Sequence, residues 1–327
     1  MDSKALSTLK LSSTLFNQLY AGKKVDLEGA NIIGCTISGA DLSGANLRRA
    51  KFNKAAFKKC NFTGADLSQS AMASSGFLKC EMEGIKMVEM KSRMTKYIEC
   101  NMTSSDMTKA EMETPLFEKT ELYQSIMSNA HFSEAVFYKS EIQNCQIRNS
   151  TFTKVIINDS NFIGSDLTDT RIQGQILELS HFGDCILTRA DFSDSVLKGR
   201  LWSNPSFLNV KAKGIKFRKC QFHFVSMGDA DLENADFSGT GFELLDAQVA
   251  NFKNAKFTDT SFFGANFCGS DLTDANFTNV YFHDFLILQQ ANLEGIILKQ
   301  IDFKEGLEIN LKETMYEGKS LPAELCR

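Results

Sequence analysis

Residues 40–49 read Ala-Asp-Leu-Ser-Gly-Ala-Asn-Leu-Arg-Arg, two copies of one five-residue phrase: a small residue, Asp or Asn, a large apolar residue, then two variable positions. The phrase returns as ADLSQ at 65–69, ANFCG at 265–269 and ANFTN at 275–279. Every fifth position from Leu27 to Ile287 forms a column of 53 residues, of which 50 are Leu, Ile, Met, Phe, Tyr or Trp. Two residues earlier runs a second column, from Val25 to Phe285, where 44 of 53 positions hold Ala, Cys, Ser, Thr or Val. No insertion or deletion breaks the frame between these limits. The small centres Ser92 and Ala247 each follow an oversized neighbour, Met90 and Leu245, so volume is conserved where the pattern slips, as a packed core requires. Ala212 is the third exception.

A period of five matches neither the 3.6 of an amphipathic helix nor the 2.0 of a simple strand. It requires a chain that turns at a fixed interval. If each pentapeptide is one side of a square coil, four sides close a turn with both columns pointing inward. Coils stacked as parallel ladders about 4.8 Å apart would then number about thirteen and extend roughly 64 Å. The expectation is sharp at Phe252, Phe257, Phe262 and Phe267, which should meet inside one layer.

The phrase and its unbroken repetition over about 25–303 resemble the pentapeptide-repeat family. That resemblance implies an all-β fold, a right-handed quadrilateral parallel β-helix. It divides the chain into an N-terminal segment and capping helix (1–24), the repeat β-helix (25–303) and a C-terminal cap or tail (304–327). Open solenoid ends expose core and unpaired backbone, so caps are expected. Leu15, Phe16, Leu19 and Tyr20 recur at helical spacing behind Ser12-Ser13 and before Gly22, which predicts a short capping helix there, with residues 1–14 flexible. Near the other end the frame slips by one at 288–290, and a short helix is expected over about 311–317, ended by Gly318. Pro115 and Pro205 fall in the small column. The stretch 198–214, with Arg200, Trp202, Pro205 and Ala212, is the least regular and should form a bulge, kink or protruding side.

Chemistry-bearing motifs do not converge. The nine cysteines are at least twenty residues apart, and seven of them, Cys35, Cys60, Cys80, Cys100, Cys145, Cys185 and Cys220, occupy the small column as alanine substitutes. Cys268 and Cys326 lie outside it and are the expected reactive thiols. His131, His181, His223 and His283 are scattered. Nucleotide-binding, hydrolase and metalloprotease signatures are missing, so no catalytic residue, cofactor or metal is expected. The recurring Asp or Asn before the centre, as at Asp26, Asp41, Asn46, Asp66, Asp166, Asp231 and Asp271, reads as turn hydrogen bonding rather than acid–base chemistry.

Two surfaces stand out. Leu116, Val136, Ile156, Ile176 and Val196 replace the Asp/Asn position at intervals of twenty, which predicts an apolar stripe on one outer face, with Tyr138 nearby, as a partner or homodimer interface. Lys211, Lys213, Lys216, Arg218 and Lys219 form a basic run ahead of an acidic run from Asp229 to Asp246. The net charge of −4 argues against direct nucleic-acid binding, and no stretch is long and apolar enough for a membrane span. Residues 1–20 lack a continuous apolar h-region, which reads as cytoplasmic. The leading expectation is a bacterial, non-catalytic protein-interaction rod of unidentified partner. The family resemblance adds two alternatives, a DNA-mimicking protein that engages type II topoisomerases and a secreted effector.

Overall fold

The computed structural model describes residues 1–20, 22–178, 180–198, 206–305 and 308–310, with 196–198 described by backbone alone. The chain separates into two compact units, Met1–Ser165 and Asp166–Arg327. Both are parallel β-helix.

In the first unit, residues 26–165 make seven coils of twenty residues. One side runs as Asp26, Asn46, Asp66, Lys86, Asp106, Ile126 and Gln146, each bridged in parallel to the next, and a second runs from Asp41 to Asn161. The other two sides are ladders of three-residue strands, from Ala71–Ala73 to Thr151–Thr153 and from Thr36–Ser38 to Ile156–Asn158. Both sequence columns point inward and are buried, apart from the half-exposed Cys35 near the N-terminal end. Aromatic rings stack along the axis through Phe57, Phe77, Tyr97, Phe117 and Phe137, with centroids 4.9–5.3 Å apart, the spacing that parallel ladders impose.

The corners explain the remaining letters of the phrase. Oδ1 of Asp26, Asp41, Asn46 and Asp66 accepts the backbone N–H two residues on, the turn role expected of the Asp/Asn column. The fifth position adopts left-handed backbone, φ 61° at Gly44 and 58° at Lys54, which is why Gly, Asn and Asp recur there. Small-column hydroxyls do more than save space. Ser75, Thr95 and Ser125 each donate to a carbonyl 23 residues back, on the preceding coil.

The N-terminal end carries two helices rather than one, α1 (Ser3–Leu11) and α2 (Ser13–Tyr20). Residues expected to be flexible are therefore largely helical, with Asp2 capping α1 through a 2.9 Å bond from the Ala5 N–H. In α2, Phe16 is buried while Leu15 and Leu19 are about 40% exposed, so the packed face is rotated from the one the spacing suggested. Asn17 closes the first coil by donating to Gly39 O and accepting from Asp41 N–H, replacing the strand a further coil would supply.

The second unit departs from the twenty-residue step twice. His181, Ile186, Asp191 and Val196 pair with Ser206, Lys211, Lys216 and Gln221, an offset of 25. One coil thus holds an additional pentapeptide, between 198 and 206. Cys220 records the same event, donating to a carbonyl 28 residues back where its counterparts reach 23. The sequence frame was continuous because five residues preserve it, but the side assigned to a residue shifts by one. Arg200, Trp202 and Pro205 lie outside the described residues, as do the expected C-terminal helix and Cys326. The second departure is a one-residue bulge: Phe263 pairs with His283 but Ala265 pairs with Leu286. The slip therefore occurs at Asp284–Phe285, ahead of the expected 288–290, and Leu286 and Leu288 are buried in place of Phe285 and Ile287. Phe252, Phe257, Phe262 and Phe267 meet in one layer, with successive centroids 5.6–5.8 Å apart and each ring buried.

Candidate interaction surfaces

A strand with one face buried offers its outward residues in two columns flanking each inward centre. On the first unit's ladder from Thr36–Ser38 to Ile156–Asn158, Leu116 pairs in register with Val136 and Val136 with Ile156, so the three stand side by side on the outer face. Ile156 is 49% exposed, and Leu116 and Val136 are half-buried by their neighbours. The earlier coils present Thr36, Ala56, Gly76 and Lys96 in this column. The second outward column contributes Leu78, Ile98 and Tyr138, all half-buried. Lys139 sets its ammonium 5.2 Å from the Tyr138 ring centre. Leu78 and Ile98 lie on the coils before the stripe, on the strands of Gly76 and Lys96, and Glu118 separates them from Tyr138. They occupy a variable position of the phrase, and only the strand pairing reveals that Ile98 stands between Leu78 and Glu118.

In the second unit Ile176, 49% exposed, pairs in register with Val196. Its column continues with Gln221, so the additional pentapeptide ends the apolar run there.

The basic run is divided between two sides of its coil. Lys211 and Lys213 flank one centre, beside Asp231 and Glu233, while Lys216 and Arg218 flank the next, beside Asp236. Lys213 Nζ lies 2.5 Å from Glu233 Oε2 and 3.6 Å from Asp231 Oδ2, and Arg218 Nε lies 2.6 Å from Asp236 Oδ2. Lys216 reaches back to Asp191 at 3.9 Å. The acidic run is therefore the coil that covers the basic one, and much of its charge is spent inside the molecule. Glu233 is held below the usual carboxylate range chiefly by the Lys213 hydrogen bond. Lys211 and Lys219 have no ion-pair partner among the described residues.

Cys60, Cys80 and Cys100 stand in consecutive coils, buried, each thiol directed at a carbonyl of the preceding coil. Burial pushes the Cys145 and Cys220 thiols up to about 12, which keeps them protonated and inert. Cys35 and Cys268 are half-exposed. Among the described residues no group of three or more His, Cys, Asp or Glu side chains could hold a metal ion, and no helix is long and apolar enough to cross a membrane.

No curated protein matches the chain. Among solved structures, the chain is similar to HetL, a pentapeptide repeat protein involved in heterocyst differentiation regulation from the cyanobacterium Nostoc sp. strain PCC 7120. Identity is 19%, with 95% of this chain and 99% of that one covered and a TM-score of 0.27. A pentapeptide repeat protein of the Arabidopsis thaliana thylakoid lumen is 30% identical, over 33% of this chain and 69% of that one, with a TM-score of 0.21. QnrB1, a plasmid-mediated fluoroquinolone resistance protein, is 14% identical over 82% of this chain and 91% of that one, with a TM-score of 0.25. The family described as pentapeptide repeats matches in eight copies at residues 23–49, 30–69, 117–153, 209–243 and 250–284, and the chain belongs to it.

Proposed function

We propose that the protein is a non-catalytic scaffold that holds a protein partner against the outer sheet face bearing Leu116, Val136 and Ile156, with Ile176 offering the same chemistry on the second unit. The observation that carries this reading is the register of the first three residues on adjacent strands. Isolated apolar side chains on a surface need no explanation, but side chains aligned coil after coil, with Tyr138 on the strand of Val136, form a contiguous patch of the kind that interfaces bury. The column carries large apolar side chains over these coils, where the same side earlier in the chain carries Thr36, Ala56, Gly76 and Lys96. The outward carboxylates support a structural rather than catalytic use, since Asp66 and Asp236 spend their oxygens on turn N–H groups and on a neighbouring arginine. The partner is a protein, and a second copy of this chain is one candidate.

The test is an affinity capture compared between the natural chain and an Ile156→Glu, Ile176→Glu variant, with light scattering of both to read self-association. The variant should retain its circular dichroism and melting temperature while losing its partner or its dimer. Capture and oligomeric state unchanged in a folded variant would discard the surface.

A further inference from the structure

On the second unit, Gln221–Ser226, Gly241–Asp246, Ser261–Asn266 and Asn276–Ile287 lie side by side in parallel. Their first outward column is Gln221, Gly241, Ser261 and Tyr281, and the second is His223, Glu243, Phe263 and His283. Two small residues in the middle of the first column leave a depression of about 440 Å³. Gly241 leaves room for the Gln221 side-chain amide, which lies across the glycine where a Cβ would displace it. That amide makes no hydrogen bond among the described residues.

One wall is Phe263, 43% exposed in a column otherwise polar or ionisable. Its orientation is fixed from behind by His283, with centroids 5.0 Å apart and planes 33° apart, and by the Tyr281 ring at 6.4 Å. The Glu243 carboxylate stands on the neighbouring strand, 49% exposed and 2.6 Å from His223 Nδ1. Asp284, 55% exposed, closes the opposite end, 2.5 Å from His283 Nδ1. No lysine or arginine lines the depression among the described residues. Two carboxylates, an amide and the negative face of an aromatic ring attract a cationic, donor-only group more strongly than any anion or neutral acceptor.

We propose that this depression binds a guanidinium group, stacked on the face of Phe263 that His283 leaves open and forked onto the Glu243 carboxylate. A planar ion uses both elements at once, whereas a spherical ammonium uses the ring or the carboxylate less completely. The group arrives on a small guanidino compound or on an arginine side chain of a partner. The site is separate from the apolar sheet face and does not depend on it.

The test is a nuclear magnetic resonance titration of the full chain with N-acetyl-arginine amide, its neutral citrulline isostere and a capped Gly-Arg-Gly tripeptide. The arginine probe should bind saturably in the millimolar range and the citrulline probe should not. Phe263→Ala, Glu243→Gln and Gly241→Gln remove the ring, the charge and the floor from outward positions, and each should weaken binding by about fivefold or more. A tripeptide that binds more tightly than the single residue assigns the site to a protein side chain, and equal binding assigns it to a small compound. Citrulline binding as well as arginine, or no saturable binding by either arginine probe, overturns the proposal. So does natural affinity in folded Phe263→Ala and Glu243→Gln variants.

Discussion

Lys213 and Glu233, twenty residues apart in sequence, meet on neighbouring coils with Nζ 2.5 Å from Oε2. A solenoid converts a sequence interval into contact, so two charge runs of opposite sign one coil apart neutralise each other. The Lys213 ammonium is raised and the Glu233 carboxyl lowered, each first through their shared hydrogen bond. Lys213→Ala should therefore bring Glu233 back toward its ordinary pKa in a carbon-detected titration. The melting temperature should hardly move, since an exposed pair stabilises little. A Glu233 titration unaltered by the substitution would show that the pair is not populated in solution.

Three better-shielded carboxylates make the fold sensitive to acid. For Asp66, Asp191 and Asp236, burial alone would raise the pKa, but bonds from Ser68, Ser193 and Ser238, with Arg48, Gln173 and Arg218 beyond them, outweigh it and hold each below the usual range. A folded value below the unfolded one means that the stabilisation is complete above the unfolded carboxylate pKa, about 3.9, and fades as pH falls through the folded values. The urea midpoint should be flat near neutrality and drop below about pH 4. The triple Asp→Asn variant, which keeps each Oδ1 acceptor, should lose part of that drop. An identical acid slope in the variant would place the sensitivity elsewhere.

The period of five made most of this architecture readable, because an inward residue recurs at a spacing no helix or simple strand can serve. Phe252, Phe257, Phe262 and Phe267 meet as that spacing requires. What escaped was phase rather than period. Five additional residues between 198 and 206 leave every column intact and yet move Gln221, not a residue of 216–218, beside Val196. The bulge at Asp284–Phe285 was displaced because Phe285 and Ile287 are apolar and mimic the column they no longer occupy. The outward neighbours Leu78, Ile98 and Phe263 sit at variable positions, where sequence carries no periodic signal and only strand pairing shows what adjoins what.

Tyr97 offers a test of the core. Its ring is fully buried between Phe77 and Phe117, nearly parallel to both, and among the described residues its hydroxyl finds as hydrogen-bond partners only the Met72 and Met87 sulfurs, each at 3.9 Å. A thioether is a weak acceptor, so the hydroxyl is desolvated with little return, and burial pushes its pKa up. Tyr97→Phe keeps the stack and removes the polar atom. It should be neutral or stabilising by up to about 1 kcal/mol in urea unfolding. A clear loss of stability would mean that the sulfur contacts outweigh the desolvation.

Gly264 is where the bulge concentrates its cost. It faces the two residues Asp284 and Phe285 across the ladder, with φ at 87°, a conformation that L side chains rarely adopt. An added Cβ would lie 2.8 Å from both Leu244 Cδ2 and Phe285 Cε1. Those atoms end flexible side chains and can give way, whereas the backbone angle cannot relax without altering the register. Gly264→Ala should therefore cost about 1–3 kcal/mol, most of it conformational. Phe285→Ala in the same chain should recover only the smaller steric part, read as a positive coupling in a double-mutant cycle. If Gly264→Ala alone were as stable as the natural chain, the left-handed corner would not be what accommodates the extra residue, and the register change would need another hinge.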